Sequence, residues 1–150
     1  MNFKTRNLKM KMFIVFLILF LSAMLVYRTK MADRDYANVL LENTKARLVS
    51  ESGINVLVAK INSSFEEQVS LNSVFNKILE DGWLQAGTEK NARFRITYIR
   101  PQEGQPSNKP TLFNTICEGK CGAYTYITTA VLEIKDNLCS VKSIKTTVDK

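Results

Sequence analysis

Three cysteines are the residues of this chain whose type and spacing point most directly to a chemistry. Cys117 and Cys121 flank a three-residue stretch that contains Gly119. If the segments on either side form a hairpin, the two cysteines are directly opposed, with Cβ atoms about 5 Å apart. A small adjustment brings such a pair to disulfide distance. The spacing therefore predicts a Cys117–Cys121 bridge at a hairpin tip.

The third cysteine, Cys139, has three interpretations. It is a buried free thiol, the partner of Cys117 in another topology, or a link to a second molecule. Zinc binding is disfavoured, because the chain offers three thiols and no histidine. The sequence therefore predicts no metal site and no cofactor.

Enzyme chemistry finds little support in the remaining polar residues. The absence of histidine removes Ser-His and Cys-His nucleophile activation and the commonest general base. The acid pairs Glu66–Glu67 and Glu80–Asp81 are adjacent in sequence, so on a helix their side chains point in different directions. No glycine-rich phosphate loop is present. We predict that the protein is not an enzyme.

The net charge of +7 on 150 residues is concentrated at the N-terminus. Residues 1–30 contain no acid and six basic residues, whereas the other 120 carry 15 basic and 14 acidic side chains. A nearly neutral body does not provide the basic surface that nucleic-acid binding requires. The charge pattern therefore predicts no direct contact with nucleic acid.

Residues 12–27 form an uncharged apolar run that is typical of a membrane anchor. As a helix, this run is about 24 Å long, and Lys11 and Arg28 can extend their charged ends toward the two interfaces of a bilayer core of about 30 Å. Tyr27 lies where interfacial aromatic residues are enriched. A cleaved signal peptide is the alternative. Cleavage after Ala23 would put the bulky Leu21 at the −3 position, and the apolar run continues beyond Ala23. Both features favour an uncleaved anchor.

The charges around the anchor predict its orientation. The four basic residues of the tail, residues 1–11, are its only charges, so the positive-inside rule places this tail in the cytoplasm. Residues 28–150 then form a domain in the periplasm, an oxidising compartment. The predicted location is the bacterial inner membrane, crossed once.

The patterning of the exported part predicts an α+β domain with two or three helical segments followed by a C-terminal antiparallel β-meander. Helix is predicted over 33–50 and again from a capping box at Ser64–Glu67 to Gly82, with an interruption near residues 70–72. Breaks at Ser52 and Gly53 separate the first helix from a β-branched strand over 54–61. The expected strands of the meander cover 92–100, 111–117, 123–134 and 138–148, with a flexible proline-rich loop over 101–110.

The overall plan resembles the small bitopic accessory proteins of ToxR-type transcription activators, the ToxS-, VtrC- and PsaF/MyfF-like family. The features that carry the resemblance are the basic tail with Lys9-Met10-Lys11, the single span, a domain of about 120 residues and the late cysteines. The resemblance implies an inner-membrane, chaperone-like subunit with no DNA-binding domain of its own. Such a subunit pairs with the periplasmic domain of a membrane-spanning winged-helix activator, of virulence or fimbrial genes, and protects it from proteolysis. In the VtrC-like case, the paired domains also enclose a cavity for a small hydrophobic ligand.

A minor pilin or secretion-system component is the alternative. Pilin-like subunits share an N-terminal apolar helix, a β-rich C-terminal half and a cysteine pair. Their processing requires a glycine before the apolar run and a glutamate five residues into it. The first glycine here is Gly53 and the first glutamate is Glu42, so the motif is absent and the accessory role is favoured.

Overall fold

The structure is a computed structural model that describes residues 3–105 and 111–149. The described residues form two α-helices and five β-strands, in the order α1 (Phe3–Glu66), α2 (Leu71–Glu80), β1 (Leu84–Gln85), β2 (Ala92–Pro101), β3 (Leu112–Cys121), β4 (Tyr124–Lys135) and β5 (Leu138–Val148). The chain divides into two compact units, with the boundary between Leu40 and Leu41. The predicted α+β class is confirmed.

The first unit consists of the N-terminal part of α1. Every residue from Met12 to Tyr27 is helical and exposed, and the helix is long and apolar enough to cross a membrane. Lys11 and Arg28 lie exposed on the same helix, at the two ends of this run. These observations confirm one N-terminal apolar helix of the length and composition that a single-pass anchor needs.

The predicted strand over 54–61 is wrong, because α1 continues through this segment without a break. Ile54, Leu57 and Ile61 are fully buried, and Val58 packs against the same core. These positions follow the i, i+3, i+4, i+7 spacing of one helix face. β-branched residues favour strands only weakly, and burial of a complete helix face outweighs that preference.

The predicted capping box at Ser64 is also wrong. Ser64 lies inside the last turns of α1, where its hydroxyl donates to the carbonyl of Ile61. The N-cap residue is Ser70, which precedes α2. Its side chain accepts a hydrogen bond from the backbone N–H of Ser73. Gly82 follows the end of α2 with a φ of +66°, the left-handed conformation that the sequence predicted there.

The five strands form one antiparallel sheet in sequential order, which confirms the predicted meander. A bulge in β2 shifts the register between Ile96 and Tyr98. The extra residue reverses the alternation. Ile99 is therefore buried, and Tyr98, which strict alternation with Phe94 and Ile96 would bury, is exposed. The turn between β4 and β5 contains Asp136 and Asn137, both with positive φ, as the two-residue hairpins that match strand twist require.

Only part of the predicted loop over 101–110 is described. Pro101 is the last residue of β2, and residues 106–110 lie outside the described ranges. The side chain of Gln105 accepts hydrogen bonds from the backbone N–H groups of Thr111 and Leu112 at 2.7 and 2.9 Å. Its amide nitrogen donates to the carbonyl of Leu112 at 2.9 Å, so this glutamine joins the end of the β2 side to the start of β3.

Candidate partner interface

The predicted Cys117–Cys121 disulfide is not present, and all three cysteines are free. Cys117 and Cys121 lie on the same strand, β3, where they face Thr128 and Tyr124 of β4. Four residues of strand separate their Cα atoms by about 13 Å, whereas a disulfide needs about 6 Å. The hairpin turns after Cys121 and not at Gly119, so the two thiols are never opposed. Cys139 is a buried free thiol, one of the alternatives that the sequence left open.

The cysteines are buried in the core, and this burial disfavours their thiolate forms. It raises the pKa of Cys117 to about 12, with a further contribution from the charge of Glu118, and the pKa of Cys139 to about 11. The pKa of Cys121 is raised chiefly by burial and then by the charge of Glu89. Since the thiolate is the nucleophile and metal ligand, these groups have a packing role. Within the described residues, no three His, Cys, Asp or Glu side chains are arranged to hold a metal ion.

We predict that the folded protein resists thiol alkylation at pH 8. At that pH about one thiolate in ten thousand is present at a pKa of 12, and the buried sulfurs are inaccessible. Unfolding in urea without a reductant should expose three thiols, each of which adds one label in a mass spectrum. The addition of only one label would show that two cysteines are joined in a disulfide.

The buried thiols also make stability depend on pH. Because the pKa values of Cys117 and Cys139 in the folded protein lie above the ordinary value, we expect the free energy of unfolding to decrease as pH rises from about 9 toward 12.

Two glycines allow α1 to lie directly on the sheet. A Cβ atom at Gly53 of α1 would lie 2.3 Å from Sγ of Cys117, and a Cβ atom at Gly119 of β3 would lie 2.2 Å from the backbone nitrogen of Ser50. No side chain larger than hydrogen fits at either position without movement of its neighbours. The sequence assigned Gly119 to a turn, whereas the structure places it at the closest approach between helix and strand.

A chain of hydroxyl groups leads from α1 across the sheet to its last strand. The hydroxyls of Ser50 and Thr128 are 2.7 Å apart, and those of Thr128 and Thr146 are 3.0 Å apart. Thr146 in turn donates to the carboxylate of Glu51 at 3.0 Å. These bonds return to α1 from β5, so they fix the distance between the helix and the last strand.

Asn62 covers the start of the outer edge of β5. Its side-chain oxygen accepts from the backbone N–H of Cys139 at 2.6 Å, and its amide nitrogen donates to the carbonyl of the same residue at 3.1 Å. A side-chain amide thus replaces the neighbouring strand that β5 lacks at this residue. Beyond Cys139, β5 is hydrogen-bonded to β4 alone among the described strands. Its outer backbone edge is therefore open over most of its length.

An apolar patch lies beside this open edge. Val141, Ile144 and Val148 are 37%, 49% and 54% exposed, and we call them the β5 patch. They stand opposite Leu132, Ala130 and Tyr126 of β4, so they share the sheet face that α1 covers elsewhere. α1 reaches this strand at Cys139 and Thr146 but leaves the side chains of the β5 patch partly exposed. The result is an open strand edge next to exposed apolar side chains.

The sequence predicted strand β5 but could not identify its patch. A bulge between β4 and β5 inserts Lys142 between Val141 and Ser143, which interrupts the two-residue alternation that would reveal a common face. Lys142 and Lys145 are also exposed on this edge strand. Lysines on an edge oppose the pairing of two identical edges.

The open edge, its apolar patch and its lysines together have the features of a site for an extended protein segment.

No protein-family model, no curated protein and no solved structure matches this chain.

Proposed function

We propose that the protein is a membrane-anchored accessory subunit that pairs through β5 with the extra-membrane domain of a membrane-spanning winged-helix transcription activator, of virulence or fimbrial genes. The observation that carries the proposal is the open edge of β5 beside the β5 patch. Such an edge can form main-chain hydrogen bonds with an added strand. The apolar side chains beside the edge favour a strand that carries apolar residues on the same face. The resemblance to ToxS-, VtrC- and PsaF/MyfF-like proteins supplies the class of partner.

The membrane topology is part of the same proposal. The tail of residues 1–11 carries four basic residues and no acid, which favours a cytoplasmic N-terminus and a periplasmic domain at a bacterial inner membrane. In this proposal the effect on transcription passes through the activator, which carries the DNA-binding domain.

The chemistry of β5 favours a different protein over a second copy as the occupant. In the antiparallel register that sets Lys142 of one β5 strand opposite Lys145 of a second copy, like charges are opposed, which is unfavourable. Lys142 pairs with Glu133 at 3.4 Å, so a partner strand with an acidic residue opposite Lys145 and apolar residues toward the β5 patch is complementary. The patch then becomes one wall of an interface, and the small hydrophobic ligand that the resemblance implies would be held there.

The accessory role follows from mass action. A subunit that binds only the folded partner stabilises it by RT ln(1 + [L]/Kd), which is about 2.7 kcal/mol at a hundredfold excess over Kd. That shift reduces the unfolded fraction available to proteases about a hundredfold. No catalytic group is needed for this effect.

Co-expression with a candidate regulator tests the proposal. We expect the regulator's half-life to increase in the presence of this protein, and the two proteins to co-purify. Ile144→Asp places a charge in the β5 patch and should return the half-life to that of the regulator alone. Leu138→Asp is the matched control, since Leu138 is an apolar residue of the same strand that is 61% exposed and pairs with Lys135 outside the patch. An unchanged half-life and no co-purification with the wild-type protein would refute the accessory role.

A minor pilin or secretion-system component is the second candidate. It is favoured by an N-terminal apolar helix and, in the C-terminal half, a five-stranded antiparallel sheet. The missing processing motif opposes it. This candidate predicts a shortened N-terminus by intact mass and recovery of the protein in surface fibres, whereas the accessory role predicts an N-terminus that still includes residues 1–11.

A further inference from the structure

Two cations oppose each other on the sheet face that points away from α1. Arg93 of β2 stands directly opposite Lys120 of β3, an arrangement that is unfavourable for like charges. The next pair along the same face has the favourable arrangement, because Arg95 lies opposite Glu118 with a nitrogen–oxygen distance of 2.7 Å. The Arg93–Lys120 pair therefore lacks the counter-charge that its neighbours have.

The two cations line an open pocket with a volume of about 470 Å³. Lys90 adds a third cation, Asn91 adds a side-chain amide, and Trp83 and Gly122 complete the lining. We call this the Arg93–Lys120 pocket. Its polar side chains are hydrogen-bond donors, and none of its lining residues is acidic.

In the described part of the chain, the neighbouring carboxylates form no ion pair with these cations. Glu118 bonds to Arg95, and Glu89, next to Lys90 in the chain, pairs with Lys45 at 2.7 Å. Glu42 of α1 approaches Gly122 but forms no ion pair with the pocket. Among residues 3–105 and 111–149, no carboxylate lies within ion-pair distance of the three cations of the Arg93–Lys120 pocket.

We propose that the Arg93–Lys120 pocket binds a phosphate group. A phosphate carries up to two negative charges, which neutralise the repulsion between Arg93 and Lys120. The guanidinium of Arg93 can donate two parallel hydrogen bonds to its oxygens, and the lysines supply compact positive charges. Asn91 adds a neutral donor. The phosphate is either free inorganic phosphate or part of a phospholipid headgroup, and both present the same oxygens. This site is independent of β5 and of the proposed pairing.

Trp83 is the only tryptophan of the chain and lines the pocket, so its fluorescence reports binding directly. In one arm of the experiment, the full chain in an uncharged detergent is titrated with sodium phosphate at an ionic strength held constant with sodium chloride. In a second arm, it is placed in phosphatidylcholine nanodiscs with or without phosphatidic acid. A saturable change with free phosphate identifies the soluble source, and a change only with phosphatidic acid identifies the headgroup.

Single charge removals test the assignment to these residues. Arg93→Gln and Lys120→Gln should each weaken binding by about tenfold or more, as expected for the loss of a charged hydrogen-bond donor. Lys135→Gln removes an exposed lysine at the end of β4, outside the pocket and the β5 patch, and should leave binding unchanged. Without phosphate, Lys120→Gln should melt no lower than wild type, because it relieves a repulsion, so loss of binding cannot be attributed to unfolding. The absence of a saturable response in both arms, or an undiminished response in both pocket variants, would overturn the proposal.

Discussion

Gly119→Ala is expected to lower the free energy of unfolding by about 3 kcal/mol, the upper part of the range for overpacked cores. The added Cβ would lie 2.2 Å from the backbone nitrogen of Ser50 and 2.5 Å from its Cα. Both atoms belong to helix backbone, so relief requires that α1 move away from a central strand of the sheet. Urea denaturation of the full chain, followed by Trp83 fluorescence and circular dichroism, measures the change.

Gly87→Ala provides the matched glycine control. Gly87 has a φ of +67° and open space where its Cβ would lie, so alanine there costs only the strain of a left-handed backbone, about 1 kcal/mol. Any further destabilisation by Gly119→Ala measures the steric contact with α1. If the two variants are equally stable, the helix does not approach β3 as closely as the structure shows.

Gly119 illustrates a limit of sequence interpretation. A glycine between two cysteines is compatible with a turn, but it is equally compatible with a close approach of two backbones. The choice depends on where the partner helix crosses, which is a tertiary property. Once Gly119 is assigned to the strand, the turn moves to Gly122, with a φ of +57°, and the predicted disulfide is lost with the old turn.

The elements that the sequence predicted correctly are those with a strong local signal. The apolar run over residues 12–27 needs no tertiary information, and the strict alternation of β4 places Thr128, Ala130 and Leu132 on one buried face. The predicted strands over 123–134 and 138–148 likewise leave a short connection, in which Asp136 and Asn137 form the turn. Two features of the candidate sites were not predictable. The β5 patch depends on a bulge, and the opposition of Arg93 and Lys120 depends on strand register.

The segment over residues 54–61 shows the opposite case, in which local preference is misleading. Four of its eight residues are β-branched, and the sequence interpretation followed them. The same segment also contains Ile54, Leu57, Val58 and Ile61 at helical spacing. The segment therefore contains two periodicities. The sheet that buries its helical face begins more than twenty residues later in the sequence, at Leu84. Only the assembled core decides between them.

A pair of alanine substitutions in this segment has the second large expected effect. Leu57 is 1% exposed, and Leu57→Ala should lower the free energy of unfolding by about 3 kcal/mol through lost burial and the cavity left behind. Val56, its neighbour, is 38% exposed, so Val56→Ala should cost less than about 1 kcal/mol. Both values come from the same urea titrations as those for Gly119→Ala.

The ratio of the two effects distinguishes helix from strand. A strand buried through Ile54, Val56 and Val58 would make Val56→Ala the damaging change and leave Leu57 toward solvent, because alternate residues point to opposite faces. A helix buried through Ile54, Leu57 and Ile61 gives the reverse order. Since the same helix face also carries Ser50 and Gly53 against the sheet, a large effect at Val56 with a small one at Leu57 would contradict the whole contact between α1 and the sheet. The expected order therefore tests more than Leu57 and Val56. The same contact between α1 and the sheet positions β4, the hydroxyl chain and the open edge of β5.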